Sequence, residues 1–268
     1  MESKFCKAAH EGRIADVVSL LKETPDLDVN WANKKDDLFT ALHLASYSGR
    51  FEVVKLLLAH PDINVNQKTF GGRTALSLAC VNGRLAIARV LLKDPRVDAA
   101  LADDLQRTVL LSTTLSTKGT VLEWLIASGR DLGDLNHKAV WENHNETALQ
   151  IAERMSHKIP SSLKSFWTNP EQTRYEVRVK LGALDELAAE VFALIVFLCD
   201  GVLQLKPALI SSRPPGLRFF AIACKLPIEL QMVLCHRVFE SMKQSIVRNN
   251  SEIAFQSLAR ILRASHPE

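Results

Sequence analysis

The sequence predicts an all-α array of repeated helix pairs, and three observations support this fold class. Residues 38–66 combine two short helical patterns, a glycine turn and an extended arm. The same pattern returns 34 residues later. The end of the chain keeps apolar helical patterns but loses the period. A fixed period of this length indicates stacked units, each of which buries its apolar face only against its neighbours.

The most complete unit shows why the chain should fold in this way. Residues 40–48 carry apolar side chains at helical spacing. Gly49 should end this helix, because glycine adopts the left-handed conformation cheaply. Residues 51–59 have too many apolar side chains for a single face, so we expect a helix that is covered on both sides. Residues 62–66 alternate like a short extended arm.

The repeat extends in both directions from this unit. Thr40 and Gly49 recur as Thr74 and Gly83. A first unit is predicted at residues 4–30, a decayed fourth unit at 103–132 and the start of a fifth at 145–152. Serines and prolines in residues 156–170 indicate a connecting loop.

The second unit resembles the ankyrin repeat, whose T-x-L-H-x-A motif stands here as Thr40, Leu42, His43 and Ala45. The third unit departs from the motif at Ser77, where the family has His. The resemblance implies an ankyrin-repeat solenoid of four to five units over residues 1–156, the last two degenerate. It also implies that Thr40 and His43 are bonded within the turn, which is a structural role.

The remaining residues, 157–268, are predicted to form a helical capping region. We expect an apolar helix at residues 184–199, and a helix from Pro227 with Leu230, Val233, Leu234 and Val238 on one face. A last helix should turn Ile253, Phe255, Leu258, Ile261 and Leu262 inward. Because the open end of a solenoid needs a cover, we expect this region to pack on the last repeat.

Composition and charge exclude several classes of function. The longest apolar run, residues 191–199, is far shorter than the roughly 20 residues that span a bilayer. Five scattered cysteines without a C-x-x-C pair indicate reduced thiols rather than disulfides or zinc. The last 68 residues carry a net charge of +5, but their basic residues are not clustered, so nucleic acid is not expected. We expect a cytoplasmic monomer, with the nucleus as an alternative.

No motif predicts catalysis. The sequence has no G-x-S-x-G, no H-E-x-x-H and no phosphate-binding glycine loop. The pair Cys235–His236 is interpreted as a buried cysteine beside a surface histidine. We therefore expect no enzyme activity, no cofactor and no metal site.

The resemblance implies a binding surface, because ankyrin repeats contact partners through their arm tips and the exposed ends of their first helices, which line a concave face. Carried onto this sequence, the candidate partner-binding residues are Asp36, Asp37, Phe39, Tyr47, Ser48, Phe70, Arg73, Val81, Asn82 and Arg107. His10, Glu11, Asp104, Leu105 and Leu115 occupy matching positions in the outer units. Aromatic residues and arginines are the types most enriched at interface hot spots. We expect a protein partner here, bound without catalysis.

One alternative remains open. Residues 226–234 begin Leu-Pro-Ile-Glu-Leu, which resembles the L-P-x-E-[LI] opening of an F-box, a segment that docks on a ubiquitin-ligase adaptor. The resemblance implies a substrate receptor of a ubiquitin ligase, in which the repeats bind the substrate protein. An ordinary helix start with Pro at its first position explains the same residues. Solvent-exposed apolar side chains on the Pro227 helix would favour the adaptor-binding function.

Overall fold

The computed structural model describes residues 1–33, 37–116, 119–141, 144–154, 161–199, 220, 223–224, 226–238, 250, 253–256 and 258. The chain divides into two compact units, Met1–Val177 and Arg178–Glu268. The first unit extends beyond residue 156, the predicted end of the repeats.

The first unit consists of short helices stacked in two rows. The inner row contains α1 (Glu2–Glu11), α3 (Ala41–Ser48), α5 (Ala75–Val81), α7 (Val109–Leu115) and α9 (Ala148–Arg154), each in contact with the next. The outer row contains α2 (Ile14–Glu23), α4 (Phe51–Leu58), α6 (Leu85–Lys93) and α8 (Gly119–Ala127). This architecture confirms the predicted all-α repeat solenoid.

Threonine caps explain where three inner helices begin. The hydroxyl oxygens of Thr40, Thr74 and Thr108 each accept a hydrogen bond from the backbone N–H three residues later. Such a bond satisfies one of the N–H groups that a helix start leaves without an intrahelical partner. The 34-residue spacing of these threonines therefore fixes the position of each repeat along the chain.

The predicted loop at residues 156–170 is wrong, because α10 (Ser161–Thr168) lies within it. This helix packs against α8 and α9, with Leu163 and Phe166 buried. It therefore occupies the outer position of the fifth repeat, whose second helix the sequence pattern did not reveal. The helix that follows, α11, spans Pro170–Leu181.

One arm forms a short hairpin, which the all-α prediction did not include. Strand β1 (Lys138–Trp141) pairs antiparallel with β2 (His144–Thr147), and Ala139 lies opposite Glu146. A second, minimal pairing joins Asn33 to Phe39 in an earlier arm. Both are local pairings within arms that connect one helix pair to the next, so they leave the helical class unchanged.

Asparagine side chains join neighbouring arms. Asn30 donates from Nδ2 to the carbonyl of Asp62 at 2.7 Å and accepts from the N–H of Asn64 at 2.7 Å. Asn66 repeats this pattern one unit later, contacting the backbone of Arg96 and Asp98 at 2.8 and 2.9 Å. Each asparagine therefore satisfies backbone groups of the following unit.

In the second unit, α12 (Ala183–Cys199) packs against α13 (Ile228–Val238). The predicted inner face of α13 is wrong: Leu230 and Val238 are about half exposed, at 52% and 49%, and the most buried side chains are those of Gln231, Cys235 and His236. His236 was interpreted as a surface histidine but is only 1% exposed.

On the last helix, Phe255 and Leu258 pack against the core as predicted and Ile253 does not, while Ile261 and Leu262 lie outside the described residues. Ile253 is exposed, while Ala254 is buried and Phe255 packs with its ring edge-on to that of Phe192. In both helices the apolar residues outnumber the inward positions. Apolar spacing alone therefore did not show which of them face the core.

Candidate functional site

We use the term arm face for the surface that the arm tips and the exposed ends of the inner helices share. Nine of the ten candidate partner-binding residues lie within the described part of the chain, and Asp36 lies outside it. The structure places six of the nine in two cavities on this face.

The first cavity lies between α1 and α3 and measures about 610 Å³. The candidate residues Asp37, Phe39 and Tyr47 line it together with Leu44. Its remaining lining comes from Asn33 and from the α1 residues Ser3, Cys6, Lys7 and His10. A cleft of this size, with apolar walls and a few polar groups, is typical of ligand-binding sites.

The two aromatic residues of the first cavity differ in exposure. Tyr47 is 47% exposed, whereas Phe39 is half-buried and its ring meets that of His43 edge-on at 5.9 Å. Ser48 is not among the lining residues, but its hydroxyl bonds to Nδ1 of His10 at 2.8 Å. This bond joins His10, which lines the cavity, to the second repeat.

The second cavity lies between α5 and α7 and measures about 220 Å³. The candidate residues Arg73, Val81 and Arg107 line it, together with Ser77, Ser112, Leu115 and Ser116. Two guanidinium groups and three hydroxyls therefore surround a small space. Asn82 lies outside this lining, and its side chain donates to the carbonyl of Leu78 at 2.8 Å.

Arg107 is held by the arm rather than presented freely. Its Nε donates to Oδ2 of Asp103 at 2.8 Å, and its side chain is only 15% exposed. Oδ1 of Asp103 accepts from the N–H groups of Leu105 and Arg107, which closes the arm tip. Arg107 was expected to offer its charge to a partner, but this ion pair already balances that charge within the arm.

The arm tips are joined directly through their backbones. The N–H of Phe70 donates to the carbonyl of Asp37 at 2.7 Å, and the N–H of Asp104 donates to that of Gly71 at 3.3 Å. Phe70 is 72% exposed and Leu105 51% exposed. These bonds hold exposed apolar side chains at the tips of neighbouring arms.

His43 has the structural role that the resemblance implied. Nδ1 accepts from the N–H of Thr40 at 3.2 Å, and Nε2 donates to the carbonyl of Gln67 at 2.8 Å. Burial lowers the pKa of His43 to about 4, against smaller opposing effects of the hydrogen bonds to the backbone of Gln67 and Arg73. His43 is therefore neutral at pH 7 and joins the turn to the next arm.

Further observations bear on other kinds of site. Among the described residues, no group of three His, Cys, Asp or Glu side chains is arranged to hold a metal ion. Within the same residues, every helix is too short or too polar to cross a bilayer. Burial raises the pKa of the Cys80 thiol to about 12, so this cysteine carries no thiolate at neutral pH.

The F-box-like segment presents apolar side chains to solvent. Pro227 is exposed, and Ile228 and Leu230 are each 52% exposed. Leu226 is half-buried. The exposed residues lie at the start of α13, on the same segment that resembles an F-box opening.

The fold and the arm face together define a repeat protein of the helix-pair type. Residues 5–103 match the family model for ankyrin repeats, with three copies. This part of the chain therefore consists of ankyrin repeats, as the T-x-L-H-x-A motif had indicated. Ankyrin repeats are generally protein–protein interaction modules and are typically not enzymes. A search of curated proteins finds no match to the chain.

Proposed function

We propose that this protein is a non-catalytic scaffold that binds a protein partner across the arm face of repeats two and three. The family supports binding in general, and the geometry of this chain supports the location. The proposed contact residues are Asp36, Asp37, Phe39, Tyr47, Ser48, Phe70, Arg73, Val81, Asn82 and Arg107.

The observation that carries the proposal is the combination of two cavities and two exposed aromatic side chains on one face. Tyr47 borders the first cavity, and Phe70 stands on the arm between the two. Exposed apolar groups that cluster beside polar clefts usually mark an interaction site. Because backbone hydrogen bonds fix the arms, a partner would meet a preformed surface, which lowers the entropy lost on binding.

The test uses the full chain as bait to capture its natural partner and then measures the affinity of that partner for variants. Tyr47→Ala should weaken binding by about 2 kcal/mol or more, which is about thirtyfold, if Tyr47 is a hot spot. Ile14→Ala is the matched control, since Ile14 is a 44% exposed apolar residue at the start of α2. Equal affinity of the parent, Tyr47→Ala and Arg73→Ala proteins would place the binding site elsewhere.

A second candidate function is a substrate receptor of a ubiquitin ligase, with residues 226–234 as the adaptor-binding segment. An F-box opening requires Leu226, Pro227 and Leu230 to be reachable by the adaptor. The exposure of Pro227 and Leu230 favours this function, while Leu226 is half-buried. An ordinary buried helix start would instead hide them. The repeats would then select the protein to be modified.

A binding assay with a purified F-box adaptor tests this second candidate. Leu230→Asp should abolish adaptor binding, whereas Val238→Asp should leave it unchanged. The two residues are similarly exposed, at 52% and 49%, at opposite ends of the same helix. Failure of the parent protein to bind the adaptor would exclude the ligase function.

The sequence pattern predicts repeats over residues 1–156 and a C-terminal capping region over 157–268. We propose this division with its boundary moved past α10, the outer helix of the fifth repeat. A monomer in the cytoplasm or nucleus fits a binding scaffold of this kind. Sedimentation of the purified chain and imaging of a tagged one would test these two points.

A further inference from the structure

We propose that the arm face binds an extended peptide segment of the partner. This segment carries an aromatic side chain and a carboxylate about five to six residues apart. This inference rests on the proposed scaffold function and adds the chemistry of the partner. The aromatic side chain would enter the cavity between α1 and α3. The carboxylate would enter the cavity between α5 and α7.

The lining of the first cavity favours an aromatic side chain. Phe39, Leu44, Tyr47 and Cys6 contribute apolar walls, and the volume of about 610 Å³ leaves room for a large ring. Aromatic pairs gain about 0.5–1.5 kcal/mol beyond the burial of area when they pack edge-to-face or offset. The lining contains one cationic side chain, Lys7, and one anionic side chain, Asp37, so the cavity does not favour a charge of one sign.

The second cavity favours an anion. Within the described residues, neither the guanidinium of Arg73 nor the hydroxyl of Ser112 has a hydrogen-bond partner, and both border the cavity. Arg73 is exposed, so its charge is available to a bound group. A guanidinium and a hydroxyl donor together match the oxygens of an acidic group.

The charge balance of the second cavity points to a carboxylate rather than a phosphate. Asp103 already neutralises Arg107 through two contacts to Oδ2, at 2.8 and 2.7 Å. Among the described residues that line the cavity, only Arg73 then has an uncompensated charge, which matches one carboxylate. A phosphate carries about −1.5 to −2 at neutral pH and would leave negative charge uncompensated beside Asp103.

The spacing follows from how the inner helices are stacked. The first cavity lies in the groove between α1 and α3 and the second in the groove between α5 and α7, so the two grooves are two helix steps apart. Neighbouring helices pack about 8–10 Å apart, which gives a separation of about 16–20 Å. An extended chain advances about 3.3 Å per residue, so about five to six residues cover this distance.

The test uses fluorescein-labelled synthetic peptides and the full chain, with affinity measured by fluorescence anisotropy. Each peptide has one Trp in an Ala/Ser/Gly background and one Glu placed three to nine residues away, in either order. Matched peptides carry Gln or phosphoserine in place of Glu. We expect the lowest Kd near the calculated spacing, and Gln should raise that Kd by about tenfold or more.

Two variants test the contributions of the two cavities separately. Arg73→Gln should remove the preference for Glu over Gln while both peptides still bind, and Tyr47→Ala should weaken both peptides alike. Circular dichroism of each variant confirms that the fold is retained. A Kd independent of spacing, a Glu preference that survives Arg73→Gln, or tighter binding of phosphoserine than of Glu would each overturn the inference.

The partner-capture experiment distinguishes a failure of this inference from a failure of the proposed function. If no peptide of the panel binds while capture of the natural partner depends on Tyr47, the arm face is the binding site but this peptide chemistry is wrong. If capture is also independent of Tyr47 and Arg73, the proposed function fails together with the inference.

Discussion

The side chain of Arg84 lies across Gly49 of the preceding repeat. Its Nε donates to the carbonyl oxygen of Tyr47 at 3.1 Å, and a Cβ built on Gly49 would lie 3.2 Å from its Cδ. Arg50 covers Gly12 in the same way, donating to the carbonyl of His10 at 3.0 Å. The glycine thus allows the chain to turn and also leaves space for an arginine that joins two repeats.

Gly49→Ala should therefore destabilise the protein for two reasons. The φ of +81° is a left-handed conformation that costs a non-glycine residue about 1–2 kcal/mol, and the new methyl group would displace Arg84. Gly71→Ala is the control, because nothing lies within 4 Å of a Cβ there and its φ is not in the left-handed range. Urea unfolding of both variants measures the difference, and equal midpoints would contradict the packing described here.

Leu57→Ala tests the core of the second repeat. Leu57 is 0% exposed, so truncation should cost about 2–5 kcal/mol through lost burial and a residual cavity. Leu105→Ala serves as the surface control, since Leu105 is 51% exposed and should change stability by no more than about 0.5 kcal/mol. A thermal midpoint for Leu57→Ala close to that of the parent would show that the repeat register is wrong.

The burial of His43 makes stability depend on pH. Its pKa is about 4 in the folded chain and about 6.5 when solvent-exposed, so the unfolded chain binds more protons between these values. Keeping His43 neutral therefore contributes about 3 kcal/mol to the free energy of unfolding. This stabilisation is fully present above pH 6.5 and is lost as the pH falls towards 4. In His43→Ser, which has the residue of the third repeat at this position, the fall in stability between pH 7 and pH 4.5 should be smaller. Parallel curves for the two proteins would contradict the assignment.

Asp103→Ala should open the arm that carries Arg107. The carboxylate accepts hydrogen bonds from two backbone N–H groups and from the guanidinium, and its side chain is 4% exposed. Removing one partner of a buried ion pair typically costs about 3–5 kcal/mol. Asp104→Ala changes the exposed neighbour and should have little effect on the unfolding midpoint. A similar loss in both variants would mean that the arm is not held by Asp103.

The expected packing of the C-terminal region on the last repeat also has a thermal test. If the region caps the array, calorimetry and tryptophan fluorescence should give coincident transitions, because the two parts would unfold together. Two separate transitions would indicate independent units and would contradict the proposed cap.

Much of the repeat array could be predicted because its signals are local. Thr40, Gly49 and their counterparts mark where each helix begins and ends, and a local rule of backbone geometry suffices to interpret them. The outer helix of the fifth repeat was missed because serines and prolines around residues 156–170 are also typical of loops. The inward face of α13 was missed because Leu230 and Val233 fit an apolar stripe as well as the observed face does.

The candidate site was only partly accessible from sequence. Aromatic and charged residues at arm positions were identified, since the repeat fixes which positions reach the surface. The ion pair of Arg107 with Asp103 was not identified, because it depends on how tightly the arm closes. The contributions of Ser3, Cys6 and Lys7 depend on how closely α1 approaches α3, which no pattern within one repeat reveals.

The asparagine contacts have a consequence for local opening. The side-chain amides of Asn30 and Asn66 both bond to backbone groups of the following unit. The matching position in the third repeat is Ala100, which has no side-chain amide. Arg130 of the fourth repeat instead reaches back to the carbonyls of Asp94 and Val97. Arg130 therefore takes over the joining of the third and fourth repeats. In Arg130→Ala, amide hydrogens on the two sides of this junction should exchange with solvent in more separate cooperative groups than in the parent.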